Sequence, residues 1–318
     1  MFMAPLVAEV LPGATRFSSI FVFPVEMCVW GACALLIRDA VRRYNLGWPG
    51  MLLLGLALAV AEECLIQQTS LAPLVIRLKG QTYARAFGVN YVYFLWALIY
   101  EPVFVVVVSI STVELIFPRR KQVPWIGKGG LVILLPLLLV GSLFAWYSWT
   151  QVARIKVFHL PGYHPPAAAI LFATVAMGAL IYIAFKMKPP AGKSFQPAAA
   201  WLLGISGAVW AFILYGLVLL GFGIDPAFPE WIAIGGAIVI LVILPVAILP
   251  KFLRHSGWTG RHQFGLTCGT IIGSMAAGQI GFIGATGPDM YFKIITNILT
   301  IFLLTLLGFR QNKRTNFA

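Results

Sequence analysis

A bundle of transmembrane α-helices is the fold class this sequence predicts, and three observations carry the prediction. Of 318 residues, 60% are apolar and 10% charged, whereas a soluble domain covers its surface with about 25% charged residues. Mean hydropathy is +0.90. Apolar runs recur that reach the roughly 20 residues a helix needs to cross about 30 Å of hydrocarbon. The class is therefore all-α, a polytopic integral membrane protein, taken as a single membrane domain over 1–318 because no Ser-, Gly- or Pro-rich linker interrupts it. A water-soluble enzyme is excluded.

Nine runs qualify as crossings: 18–37, 49–66, 90–116, 130–150, 166–186, 199–221, 230–249, 264–285 and 288–308. The first 17 residues carry little charge. The run after them holds Glu26 and ends at Arg38, Arg42 and Arg43, a stop-transfer flank, so it reads as a retained span and not as an export signal. The second run is short and the third long. Between them Gln67-Gln68-Thr69-Ser70 through Arg77, Lys79 and Arg85 is too polar to cross, and reads as an interfacial or re-entrant piece. In the eighth run Gly265, Gly269, Gly273, Ala277 and Gly281 recur every fourth residue, a strip on which another helix backbone can close. Only Gln279 favours a water-lined helix there. Gly287 and Pro288 are the weakest boundary, where one bent hairpin would reduce the count to eight.

Orientation follows from the bases, independently of the acids. Sixteen of the 23 Lys and Arg fall in loops on one side, six on the other, and Lys293 lies in the last run. The positive-inside rule then places the N-terminus outside and the C-terminus in the cytoplasm. The net charge of +13 is thus an anchoring pattern facing membrane lipids, and nucleic acid is not expected as a partner. Cys28, Cys33, Cys64 and Cys268 lie in apolar segments without CxxC spacing, so neither a zinc site nor a disulfide framework is expected. His159, His164, His255 and His262 fall in loops and receive no role. No nucleotide-binding glycine motif or haem ligand pair is present, and no cofactor is proposed.

The acids carry the functional information. Five of ten lie in or at the ends of the first three runs: Glu26, Glu62, Glu63, Glu101 and Glu114. A charge at the bilayer centre costs about 2.5–3.5 kcal/mol on the lenient insertion scale, so such groups face partners, water or one another. Glu26, Glu62 and Glu101 overlap in depth, at roughly 10–16 Å below the outer boundary. Asn90, Ala97 and Glu101 return to nearly one helical face. Pro102 denies Leu98 a hydrogen bond, and Pro24 denies one to Ile20, so each acid sits beside a broken helix. Glu62 and Glu63 point about 100° apart. One would face the cluster and the other the outer interface with Gln67. Glu114 approaches Arg119 and Arg120 as an interfacial ion pair. Asp289, Lys293 and Asn297, at steps of four on the last run, read as an intrahelical pair with a snorkelling Lys stem. The candidate polar cluster is Glu26, Glu62, Glu63, Asn90 and Glu101, with Gln67, Asp289, Lys293 and Asn297 as secondary candidates.

From Ala61-Glu62-Glu63-Cys64 through Gly88-Val89-Asn90-Tyr91 to Tyr100-Glu101-Pro102 and Glu114-Leu115-Ile116-Phe117-Pro118, the chain resembles an uncharacterised group of bacterial multi-pass membrane proteins. That group has a paired Glu, a Gly-Val-Asn-aromatic step and a His in the following span; here Glu101 stands near the place of that His. The likeness covers about a fifth of the chain. It implies a bacterial plasma membrane location and no particular activity. Glu62, Glu63 and Gln67 also match the spacing of the Glu-Glu-x-x-x-Arg motif of CAAX-processing and bacteriocin-immunity type intramembrane peptidases. Gln replaces Arg, and the later His-bearing motifs of that family are absent. Three classes of function stay open: movement of a proton, cation or small solute through the carboxylates, an intramembrane enzyme acting on lipid or peptide, and a structural or assembly protein in which the acids are interhelical hydrogen bonds.

Overall fold

The computed structural model describes residues 1–73, 85–86, 88–187, 197–219 and 257–315, with five isolated positions between 229 and 239. It is an all-α bundle. Helix α1 is Met3–Pro5 continuing as Leu6–Val10. Then come α2 (Phe17–Arg43), α3 (Gly47–Ile66), α4 (Tyr91–Ile116), α5 (Lys128–Lys156) and α6 (Ala167–Lys186). Helices α7 (Ala200–Leu219), α8 (Gly260–Ile280) and α9 (Pro288–Thr315) complete the set among the described residues. The helices α2 to α6 and Pro288–Gln311 of α9 are long and apolar enough to cross a membrane. The expected crossing at 230–249, and the loop bases Arg77, Lys79, Lys188, Lys193, Lys251 and Arg254, lie outside the described residues. A two-residue antiparallel ribbon, Arg85–Ala86 with Val89–Asn90, precedes α4.

Partner contacts give each helix a direction. Glu114 at the end of α4 meets Arg38 and Arg42 near the end of α2, so the two run parallel. Asp289, at the start of α9, accepts from the N–H and hydroxyl of Ser18, and Arg310 near its end donates to the Ile116 carbonyl; α9 therefore runs with them. Helix α8 runs the other way, with Gln263 on Lys121 and Gly278 against Pro12. Arg38, Arg42, Arg43, Lys121 and Arg310 accordingly collect at one end of the bundle, the arrangement that helix ends flanked by bases require.

The glycine strip does what its spacing implies over its first three members. A Cβ on Gly265, Gly269 or Gly273 would strike the backbone carbonyls of Ala200, Gly204 and Ala208 respectively. Both series ascend together, so α7 and α8 are parallel and Leu219 and Gly260 stand at opposite ends of the pair. Ala277 is fully buried, and Gly281 is exposed at the end of α8. The next turn bends through Gly284 and Gly287, at φ +77° and +85°, where side chains are strained, and Pro288 opens α9 as a first-turn proline can.

Several expectations require correction. The residues before the first expected crossing, to which no element was assigned, form α1 inside the bundle, with Ala4, Val7, Ala8, Val10 and Leu11 all buried. An apolar stretch of this length is too short to cross and long enough to re-enter. Glu114 pairs with Arg38 and Arg42 instead of Arg119 and Arg120, because α2 packs closer than its own continuing turn. Asp289 is engaged by Ser18, not by Lys293. Lys293 does not snorkel; it is 1% exposed, and its ammonium donates to the Leu11 carbonyl and to Asn297. The Ile20 carbonyl is not left open by Pro24, since the N–H of Phe23 bonds it in a tightened 3₁₀ turn. His262 is not in a loop but in the first turn of α8, where its Nδ1 accepts from the Thr259 N–H.

Candidate functional site

Glu9, Glu26, Glu62, Glu63 and Glu101 share one local device. Each lies in or beside a π-helical turn, where bonds run from residue i to i+5 and the helix widens by one residue. These turns are Leu6–Val10 with Glu9, Met27–Gly31 directly after Glu26, Glu62–Ile66, and Glu101–Val108. The bonds that close them include Leu11 N–H to Leu6 C=O, Ala32 to Met27 and Gln67 to Glu62. Such bulges re-aim side chains and loosen the backbone ladder, and they recur at functional positions. At Glu101 the widened register also accommodates Pro102, which has no N–H to give. A fifth π turn, Ser148–Ala153, lies elsewhere.

These turns bring four of the expected residues together, and they add one. Glu62 interacts electrostatically with Glu63, Glu9 and Glu26, Glu101 with Glu62, Glu63 and Glu9, and Glu9 with Glu26 and Glu63. Glu26, Glu62, Glu63 and Glu101 are all buried. Among the described residues, none of the five forms an ion pair with a Lys or Arg. Glu9 was missed by the sequence reading. Its signal was an acid within the apolar run Leu6-Val7-Ala8-Glu9-Val10-Leu11, flanked by Pro5 and Pro12 and too short to cross.

Individual carboxyls differ in how they are held. Thr15 Oγ1 donates to Glu26 at 2.5 Å. The Tyr100 hydroxyl donates to Glu9. Glu63 accepts from both the N–H and the hydroxyl of Ser70, at 3.0 and 2.6 Å, so it does not reach the outer interface. Glu62 has no hydrogen-bond partner for either oxygen among the described residues, and Glu101 has none for Oε2. Trp30 interacts with Glu101 without meeting the geometry of a hydrogen bond. Gln67 is half-buried at the end of the π turn and contributes its backbone N–H to Glu62 C=O.

Asn90 does not join the carboxylates. The helix begins at Tyr91, so Asn90 lies off the face shared by Ala97 and Glu101. Its Oδ1 caps α4 by accepting from Tyr93 N–H at 2.9 Å, and its own N–H bonds the Ser70 carbonyl. Replacing it with Ala is expected to cost about 1 kcal/mol, the usual loss of an N-cap; a thermal melt of the detergent-solubilised protein checks this. The secondary trio is likewise distant in role. Asp289 holds Ser18 in the first turn of α2, Lys293 holds Leu11 between α1 and α2, and Asn297 accepts from Lys293.

Tyr93 interacts with Glu63, Glu9, Glu101 and Glu62 together. Behind it runs an aromatic series: Tyr93 to Trp96 at 5.5 Å, Trp96 stacked on Tyr100 at 4.3 Å, and Tyr215 edge-on to Trp96 at 5.9 Å. Among the described residues, no three His, Cys, Asp or Glu are placed to hold one metal ion. Compared with known proteins, the chain matches no family model, and no curated protein or solved structure is significantly similar to it.

Proposed function

We propose that this integral membrane protein moves protons, or a cation or small solute exchanged with them, through the carboxylate cluster formed by Glu9, Glu26, Glu62, Glu63 and Glu101. The observation that carries the reading is five carboxyls from four helices, each interacting with at least two of the others, with no ion pair to a Lys or Arg among the described residues. Buried like charges repel strongly, and such a group persists in a bundle by binding protons or a positive ligand. Four π turns at the cluster support the same reading, because a widened turn can change its bonding register at small cost. Pure interhelical glue is less well supported: both Glu62 oxygens are without a partner among the described residues, which glue would not leave.

The test is proton flux in vesicles reconstituted with the purified chain and carrying a pH-sensitive dye. Glu62→Gln and Glu101→Gln keep side-chain size and remove the titrating proton. Each is expected to reduce flux at least tenfold, the scale on which one relay group acts, with melting temperature nearly unchanged. Wild-type flux in both variants, alongside a lowered melting temperature in Glu101→Leu, would return the acids to a structural role.

A further inference from the structure

We infer that the segment 117–128, at the end of the bundle where the bases collect, is a docking site for the phosphodiester headgroup of an anionic phospholipid. The site is remote from the carboxylate cluster and does not depend on what that cluster does.

The bases at this end divide into two sets. Arg38, Arg42, Arg43 and Lys121 are engaged, with Glu114, Asp39, Gln263 and carbonyls of the segment itself. Arg119, Arg120, Lys128 and Arg261 are exposed, and among the described residues their side chains form no hydrogen bond or ion pair. Asp39 and Glu114, the acids described at this end, are buried and already paired with arginines. No exposed acid described there offsets the second set. The end of α4 adds little negative charge either, because Arg310 donates to the Ile116 carbonyl and Gln311 to that of Leu115, covering carbonyls that a helix terminus leaves open. At the opposite end the pattern differs. Arg85 is engaged with the carbonyls of Leu71 and Gly88, and Arg154 with those of Pro73 and Pro161.

The segment holds its charge in a fixed place. Arg38 donates to three of its carbonyls, Trp125 Nε1 donates to the Arg120 carbonyl at 2.9 Å, and the Ile126 N–H bonds Asp39. Pro118–Arg120 is a 3₁₀ turn, so two adjacent arginines follow Phe117, which is exposed, as is Val123. Exposed apolar side chains beside exposed guanidinium groups, directly after a helix long enough to cross a membrane, suit the headgroup boundary, where rings meet hydrocarbon and charge meets phosphate. A guanidinium fork matches two phosphate oxygens at once. Soluble phosphate or an acidic peptide would use the charge and leave Phe117 and Val123 without an apolar environment. A phospholipid uses both. Each Lys or Arg near an anionic lipid surface contributes about fivefold in affinity.

The experiment follows the melting temperature of the full-length chain, purified in an uncharged detergent, during titration with dioleoylphosphatidylglycerol or dioleoylphosphatidylcholine. A lipid that binds the folded state raises that temperature. Phosphatidylglycerol is expected to raise it saturably, and phosphatidylcholine to leave it unchanged. Arg119→Gln and Arg120→Gln should each raise the half-effective phosphatidylglycerol concentration about fivefold, and together about thirtyfold, with the melting temperature in phosphatidylcholine unaltered. Lys156→Gln, which removes an exposed base at the opposite end of α5, should stay within about twofold. Phe117→Ser should weaken the effect and keep the preference for phosphatidylglycerol. If the double variant melts early in phosphatidylcholine, the two single variants decide. Equal shifts with the two lipids overturn the inference. So does a loss in Lys156→Gln that matches Arg120→Gln, which would reduce the attraction to net charge. Sodium phosphate or polyglutamate producing the same shift at the same anion concentration also overturns it, in favour of a soluble phosphate or an acidic protein.

Discussion

Arg38→Met is expected to lower the melting temperature of the solubilised protein by several degrees and to open the 117–127 segment to trypsin. Arg38 is fully buried. Its Nη atoms donate to the carbonyls of Val123, Arg120 and Lys121 at 2.9–3.0 Å, its Nε lies 3.2 Å from Glu114, and the Trp125 ring stacks 3.4 Å from its guanidinium carbon. One side chain thus ties two parallel helices to the segment that follows the second. Asp39 and Arg43 add a second tie, to the N–H and carbonyl of Ile126. Removing one partner of a buried ion pair costs about 3–5 kcal/mol, and Arg42, 2.7 Å from Glu114, offsets part of that for the carboxylate but none of it for the three carbonyls. Arg38→Lys should rescue little, because an ammonium cannot reproduce the guanidinium fork. An unchanged melt and an unchanged digestion pattern at Arg119, Arg120 and Lys121 would contradict this account.

The second large effect is steric. Gly269→Val is expected to destabilise the pairing of α7 and α8 by about 3 kcal/mol or more, at the upper end of what overpacking does in well-packed cores. A Cβ there would overlap the Gly204 carbonyl, and backbone cannot yield as a side-chain tip can. Gly178→Ala serves as the control, since nothing lies within 4 Å of the added carbon; alanine in a helix interior should be neutral or slightly stabilising. Thermal melts of both variants in one detergent give the comparison. Equal stability of the two would show that α7 and α8 do not depend on close approach.

How much was legible differs between fold and site. The class, and the ranges of α2 to α6 and α9, followed from run length and hydropathy, because in hydrocarbon each span must satisfy its own backbone. The close-packing face of α8 was legible because Gly265, Gly269 and Gly273 carry their consequence in their spacing. Four members of the cluster were legible because an acid in an apolar run is costly enough to be conspicuous. Glu9 escaped, since Ala4–Leu11 is shorter than a crossing and a window set to that length passes over it. Partners escaped more often: Glu114 and Asp289 each have a plausible neighbour in sequence and a different one in space.

Sequence alone settled that this chain is a helical membrane protein and which of its polar groups bear the cost of burial, since that cost depends only on what surrounds a residue within one helix. Tertiary structure decided which of those groups meet. The π turns shift the phase of each helix by about a residue, and the return of α1 into the bundle adds Glu9. Both follow from packing between helices, which no periodicity within a single run records.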